Sequence, residues 1–271
     1  MCASRDGDVL KVWDLATGSS RAFGSNAGLV SSLCTLGSLL FAGSCSGNVV
    51  VWDLATGECV RHLEACTEVR VMVANAQHLF AGYDGGAVRV WSIATGELLH
   101  MLLEDSLFEI GVAALVLAGD TLFVGNTAGV VTAWSTSLLR QDQIYDTRLL
   151  TSSEVVLKSL CVSSTHVFIG SKEGPLSMWD RSSARCVRVF ARDAEGMHPM
   201  MTTAICLNAT HVFTGMGDGA IVSWALTGES WDQFQGHPRK VEDIAVNCTC
   251  LISAARDGSV RIWDLGTRGL L

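Results

Sequence analysis

Proline is nearly missing from this chain: 3 residues in 271, against 27 glycines. So few residues with a fixed φ, beside so many permissive ones, suit numerous short strands joined by tight turns. Long apolar runs are missing as well. The stretch Val112–Ala118 is among the longest and is far too short to cross a bilayer. No positive n-region followed by an apolar h-region comes after Met1, so no signal peptide is visible. There is no basic excess either. The formal net charge is −8, which argues against a general nucleic-acid surface and leaves an RNA-binding role unsupported. No C-x-x-C pair occurs, and Cys248-Thr-Cys250 has one spacer and no matching pair, so a zinc site is not expected. The ten cysteines are spread singly along the chain, with Cys34, Cys161 and Cys206 in matching places. They read as reduced, buried small hydrophobes of a cytoplasmic or nuclear protein. No H-E-x-x-H, phosphate-binding glycine loop or nucleophile elbow is present. Neither catalytic residues, nor a metal, nor a cofactor is expected.

What the chain does have is a recurring phrase. Trp13, Trp52, Trp91, Trp134, Trp179, Trp224 and Trp263 each end a short β-rich run that starts at a turn, at intervals of 39 to 45 residues. A period near 40 means one supersecondary unit copied seven times, and such a unit cannot bury its apolar face alone. The stretch from Glu68 onward shows the unit. Glu68–Ala74 alternates as a strand, Asn75-Ala76-Gln77 turns, and His78–Gly82 is a second strand. Asp84-Gly85-Gly86 turns again, Ala87–Ile93 is a third strand ending near Trp91, and Ala94-Thr95-Gly96 leads into a fourth over 97–102. Three hairpins in succession make a four-stranded antiparallel meander. Small residues in the second strands (Ala42, Gly43, Ala81, Gly82, Gly170, Gly215) let neighbouring units approach, and each indole fills the space near a unit's centre.

These residues resemble the WD-repeat (tryptophan–aspartate) β-propeller family over essentially the whole chain. The dipeptide stands as Trp13-Asp14, Trp52-Asp53, Trp179-Asp180 and Trp263-Asp264, and is altered to Trp91-Ser92, Trp134-Ser135 and Trp224-Ala225. The family's Gly-His pair survives at Gly236-His237. The resemblance implies that His237, Ser253, Asp257 and Trp263 link the last blade through side-chain hydrogen bonds. It also places a turn acid at Asp6, Asp84, Asp218 and Glu173, lost at Ser46 and Ala128. A Ser/His/Asp trio invites a catalytic-triad reading, but a self-satisfied polar network explains it without chemistry.

The expected fold is all-β: a seven-bladed β-propeller of four-stranded antiparallel blades, one domain over residues 1–271, with the first blade incomplete at the N-terminus. Aligned on the last repeat, Met1 falls inside a second strand, so the chain reads as a fragment lacking its first inner strand. A six-blade count would orphan Trp13-Asp14. The expected function is a non-catalytic scaffold that binds protein or peptide partners through loops on one face, with no nucleic acid, no membrane and no assigned oligomeric state. A similarity of the short second strands and "TGECV" outer strand to F-box- and RING-associated propellers raises a substrate receptor of a ubiquitin ligase as the alternative. Candidate partner-binding residues lie where the repeat changes length. They are Met197, His198, Met200 and Met201 in the 190–201 connection, Phe108 in the acidic 103–110 connection, and Tyr145 and Arg148 beyond the fourth tryptophan. An irregular outer strand is the competing reading of 135–153.

Overall fold

The computed structural model describes residues 2–3, 10–13, 19–24, 28–65, 67–103, 110–150, 156–172, 176–190, 201–227 and 231–271. Among them, 26 strands form seven antiparallel sheets, each a meander in chain order. The first sheet holds β1 (Cys2–Ala3), β2 (Leu10–Trp13) and β3 (Ser20–Phe23). The second holds β4 (Val30–Leu36), β5 (Leu39–Ser44), β6 (Val49–Asp53) and β7 (Cys59–Leu63). The third holds β8 (Val69–Ala74), β9 (His78–Tyr83), β10 (Val88–Ser92) and β11 (Leu98–Leu103). The fourth holds β12 (Val112–Ala118), β13 (Thr121–Asn126), β14 (Val130–Ser135) and β15 (Gln141–Asp146), followed by a 3-10 turn, Thr147–Leu150. The fifth holds β16 (Leu157–Val162), β17 (His166–Ser171), β18 (Leu176–Asp180) and β19 (Cys186–Phe190). The sixth holds β20 (Thr202–Leu207), β21 (His211–Met216), β22 (Ile221–Ala225) and β23 (Trp231–Phe234). The seventh holds β24 (Val241–Val246), β25 (Cys250–Ala255) and β26 (Val260–Asp264). These sheets are the seven blades of a β-propeller.

Among the described residues the first blade has three strands, as an incomplete first blade should; the last also has three, with a single bridge, Trp263 to Leu270, where a fourth strand would run. One detail departs from the sequence-based expectation. The 135–153 stretch carries a six-residue outer strand, β15, paired with β14 before the 3-10 turn interrupts it.

The chain divides into two compact units, Met1–Asn126 with Trp134–Arg140, and Thr127–Ala133 with Gln141–Leu271. Inside the first unit the innermost strands β4, β8 and β12 lie side by side, and inside the second so do β16, β20 and β24. Glycines in the second strands permit that approach. A Cβ on Gly43 would stand 2.6 Å from a Val69 methyl of the next blade, and one on Gly215 would stand 2.6 Å from a Val241 methyl. Each of these close approaches meets the β-branched first residue of the following blade. The seams are apolar: Phe41, Val51, Leu79 and Trp91 share one core cluster, and Phe213, Ile221, Phe234, Val241 and Trp263 share another.

The family dipeptide has a local task. Asp53 Oδ1 accepts from the N–H groups of Ala55 and Thr56, at 2.9 and 2.8 Å, and Asp264 Oδ1 does the same for Gly266 and Thr267, at 2.9 and 2.6 Å. These backbone bonds, that to residue 56 or 267 foremost, hold both carboxyls below the usual carboxylate range. Where the sequence has Trp-Ser instead, Ser92 Oγ accepts from Thr95 N at 3.1 Å and Ser135 Oγ from Leu138 N at 3.2 Å. The loss of the acid at those repeats removes a charge but keeps an acceptor.

Candidate functional site

The last blade carries the densest polar cluster. His237 Nε2 lies 2.6 Å from Ser253 Oγ, and its Nδ1 lies 3.2 Å from both Asp257 Oδ2 and Ser259 Oγ. Trp263 Nε1 donates to Ser253 Oγ at 2.8 Å. A carboxylate only accepts, so the hydrogen bond to Asp257 places a proton on Nδ1, and Ser253 directs its own hydroxyl proton at Nε2. Asp257 Oδ1 takes the Ser259 hydroxyl at 2.7 Å and the Ser259 N–H at 2.9 Å. Those bonds, reinforced by His237, hold the Asp257 carboxyl down at about 2. Arg261 closes the cluster by donating to the Gly236 carbonyl at 2.6 Å.

The connectivity Ser–His–Asp mimics a hydrolytic triad, but the surroundings do not fit one. Ser253 is 0% exposed, and its oxygen already accepts the indole N–H, so no carbonyl carbon can approach it. The arrangement fastens β24's approach, β25 and β26 together. Among the described residues, no three His, Cys, Asp or Glu side chains converge in a way that could hold a metal ion.

The same positions vary in the other blades. Ten residues before Trp263 stands Ser253; ten before Trp224 stands Thr214, whose hydroxyl accepts the Trp224 N–H at 3.1 Å. Ile169 occupies that place before Trp179, and Ser177 supplies the acceptor instead, at 2.9 Å. Ala81 occupies it before Trp91, whose N–H is buried without a hydrogen-bond partner. Register also corrects one turn acid. Val88 pairs with Gly82 as Ile221 pairs with Gly215, which aligns Gly85, and not Asp84, with Asp218. Asp84 instead forms an exposed ion pair with Arg70 at 2.6 Å. Glu242 and Arg256 form the same pair with charges reversed in the last blade.

A second set of residues escaped the sequence reading. Arg61 of β7 donates to the carbonyls of Ile93 and Ala94 in the next blade's outer turn, at 2.7 and 3.0 Å. Arg21 reaches Ala55 O at 2.8 Å and also Thr56 O; Arg188 reaches Ala225 O at 3.2 Å; Gln143 reaches Ser182 O at 2.6 Å. In the turns after Asp53 and Ser92, the acid or hydroxyl caps the N–H groups from within and the preceding blade's arginine caps the carbonyls from outside, so both sides of the turn are satisfied. At the Asp180 turn Gln143 takes the arginine's part. Gly96, at φ 78°, is needed twice over, since a Cβ there would also meet Arg61 Cδ at 2.5 Å. The signal was present as Arg-x-Phe or Arg-x-Leu in the outer strands (Arg21, Arg61, Arg188).

The partner-binding candidates separate. Tyr145 is fully buried: its ring stands edge-on to Trp179 at 6.3 Å, and its hydroxyl donates to the Arg181 carbonyl at 2.9 Å. This corrects its reading as an exposed anchor, because the outer-strand pleat turns it into the seam. Arg148 is exposed and grips Asp146 with Nε and Nη2, at 2.8 and 2.7 Å. Met201 is half-buried; its carbonyl accepts from Gly217 N at 2.9 Å and its side chain lies over Gly217. Met197, His198, Met200 and Phe108 lie outside the described residues. By sequence offset, however, His198 precedes Thr202 by four residues, as His237 precedes Val241.

Comparison with known proteins agrees with this geometry. The family model described as outer membrane protein assembly factor BamB matches residues 3–230. The model for the WD domain, G-beta repeat, matches residues 227–264. No curated protein matches the chain. Among solved structures, the crystal structure of the computationally designed Ika8 protein is similar, with a TM-score of 0.80 at 23% identity, covering 97% of this chain and 79% of that one. At that identity the likeness concerns the fold.

Proposed function

This chain is a WD-repeat β-propeller and belongs to the family whose model is described as outer membrane protein assembly factor BamB, and from that premise we propose that it is a non-catalytic scaffold that binds protein segments through the connections between its blades. The observation that carries the reading is the contrast between strands and connections. Strands and outer turns are tied blade to blade by Arg21, Arg61, Gln143 and Arg188, while changes of repeat length gather in the 103–110, 147–156 and 190–201 connections. A stiff frame presents such segments with little ordering cost on binding. The family description names a protein that works in the assembly of other proteins, which supports a protein ligand in general terms. Eight of the ten cysteines are free thiols, which supports a reducing compartment, cytoplasmic or nuclear.

Affinity capture with the whole chain tests this reading. Prey retained by the native chain and lost when 197–200 is replaced by a short Gly-Ser link places the site there. Identical prey from both forms removes that connection and shifts attention to Arg148. A ubiquitin-ligase role would require that the captured partner be turned over in a chain-dependent way; absence of ligase components among the prey would end that alternative.

A further inference from the structure

The outermost strand of a blade has one open edge, whose unpaired N–H and C=O groups would accept another strand, and a charged side chain there keeps such pairing away. Arg21 on β3, Arg61 on β7, Asp142 on β15, Arg188 on β19 and Asp232 on β23 meet that need. The outer strand of the third blade does not. β11 reads Leu-Leu-His-Met-Leu-Leu, and its Leu98, Leu99 and Met101 are 45%, 44% and 42% exposed. Register shows what was exchanged. Val90 pairs with His100 as Val51 pairs with Arg61 and Met178 with Arg188, so a histidine stands in the place of the strap arginine. Among the described residues it makes no hydrogen bond. The next blade's outer turn has changed in step. Leu139 holds φ 49° at the place of Gly96, where a Cβ would run into the arginine stem, so glycine and arginine are lost together. Leu139 packs with Leu102 and Leu103 against the Trp134 cluster, and its neighbour Leu138 is 64% exposed. The outer rim of the third and fourth blades is thus an apolar strip beside an uncharged strand edge.

Charge decides which strand would settle on that edge. Glu97, immediately before β11, is exposed. By sequence, residues 97–110 also include Glu104, Asp105 and Glu109, and no lysine or arginine. A second copy of this chain, pairing β11 with β11, would set two such acidic stretches against each other. A strand with lysine or arginine at its ends meets attraction instead, and the chain's net charge of −8 adds to it. Apolar residues between those ends would cover Leu98, Leu99 and Met101, while the main chains exchange hydrogen bonds. We infer that β11 is a docking edge for an extended, apolar, basic-ended segment of a partner protein, which adds to the third blade as a fifth strand. The proposal concerns a strand edge and holds whichever connection between blades binds a protein.

The test uses the full chain and a fluorescein-labelled peptide, Lys-Val-Thr-Val-Ile-Val-Arg, beside one in which glutamate replaces both end residues. Fluorescence anisotropy should show saturable binding of the basic-ended peptide, weaker at high salt and at least about fivefold tighter than that of the acidic-ended one. Leu99→Lys puts a charge on the edge and should weaken binding at least about tenfold. Val60→Lys, at the matching place of β7, should leave the affinity within about twofold. Hydrogen exchange should show new protection in the amides of 98–103 when the peptide is bound. No saturable binding, equal affinity for the two peptides, undiminished binding to Leu99→Lys, an equal loss with Val60→Lys, or protection confined to other strands would overturn the proposal. A concentration-dependent dimer that Leu99→Lys abolishes would overturn it in favour of a second copy. If Leu99→Lys fails to fold, the exchange pattern of the native chain decides: protection at 98–103 supports the proposal, and its absence there overturns it.

Discussion

The third and seventh blades are built from the same phrase but differ in the polar groups around the indole: Ala65, Ala81 and Gly85 stand where the seventh has His237, Ser253 and Asp257. In the seventh, Ser253 accepts the Trp263 N–H and donates its own hydroxyl hydrogen bond to His237, so the indole N–H and the hydroxyl are both engaged. In the third, Ala81 stands at the Ser253 position and Trp91 keeps its burial without its hydrogen bond. Both indoles are nevertheless seated in apolar clusters of the same kind. Burial of a large ring, at ~25 cal/mol per Å² over roughly 150–250 Å², outweighs one missed hydrogen bond of about 1–3 kcal/mol. The polar network therefore refines a blade that packing already makes.

The largest expected effect comes from removing what the two blades share. Trp263→Ala and Trp91→Ala should each destabilise by roughly 3–5 kcal/mol, read from urea midpoints at constant m-value. If Trp91→Ala were nearly silent, packing would not be the common support. Next, Ser253→Ala strands the Trp263 N–H and the His237 ring nitrogen inside the blade, and about 1–3 kcal/mol should be lost in the same assay. The reciprocal change, Ala81→Ser, supplies the missing acceptor in the third blade, and a gain of about 1 kcal/mol is expected. No gain there would mean that the hydroxyl cannot reach the indole and that the third blade's backbone differs from the seventh's.

Acid titration gives the smallest and most selective difference. Asp257 is depressed in the folded chain, to about 2, chiefly by its bonds to Ser259, with His237 adding to them. A depressed carboxyl contributes stability that is fully present above its unfolded value, near ~3.9, and is lost as pH falls through the folded one. Asp257→Asn should therefore flatten the acid limb of the stability curve between about pH 4 and pH 2. An unchanged limb would show that Asp53, Asp180 and Asp264, each held low by its own turn, carry the acid sensitivity.

Much of the framework was legible in the sequence because its signals are local and repeated. Turn glycines, period-2 alternation and the tryptophan spacing set where strands begin and end, and the third blade's strands fall within a residue or two of their expected limits. The network of His237, Ser253, Asp257 and Trp263 was named from the family pattern, and the structure places those four within hydrogen-bond reach. Exposure was less legible. Tyr145 looked like a surface anchor because composition says that tyrosine favours interfaces, whereas only the pleat of β15 against the next blade tells that it faces inward. The straps were missed for the same reason: Arg61 and the Ile93 carbonyl are 32 residues apart, and nothing local links them.

By itself, then, the sequence determined the repeating unit, its strands and the residues that seat each indole, since these follow from backbone preferences acting over a few residues. The tertiary structure decided which blade passes an arginine to which turn and which outer-strand side chain enters a seam. Those outcomes depend on neighbours roughly 40 residues away, and only the packing of one sheet against the next brings them together.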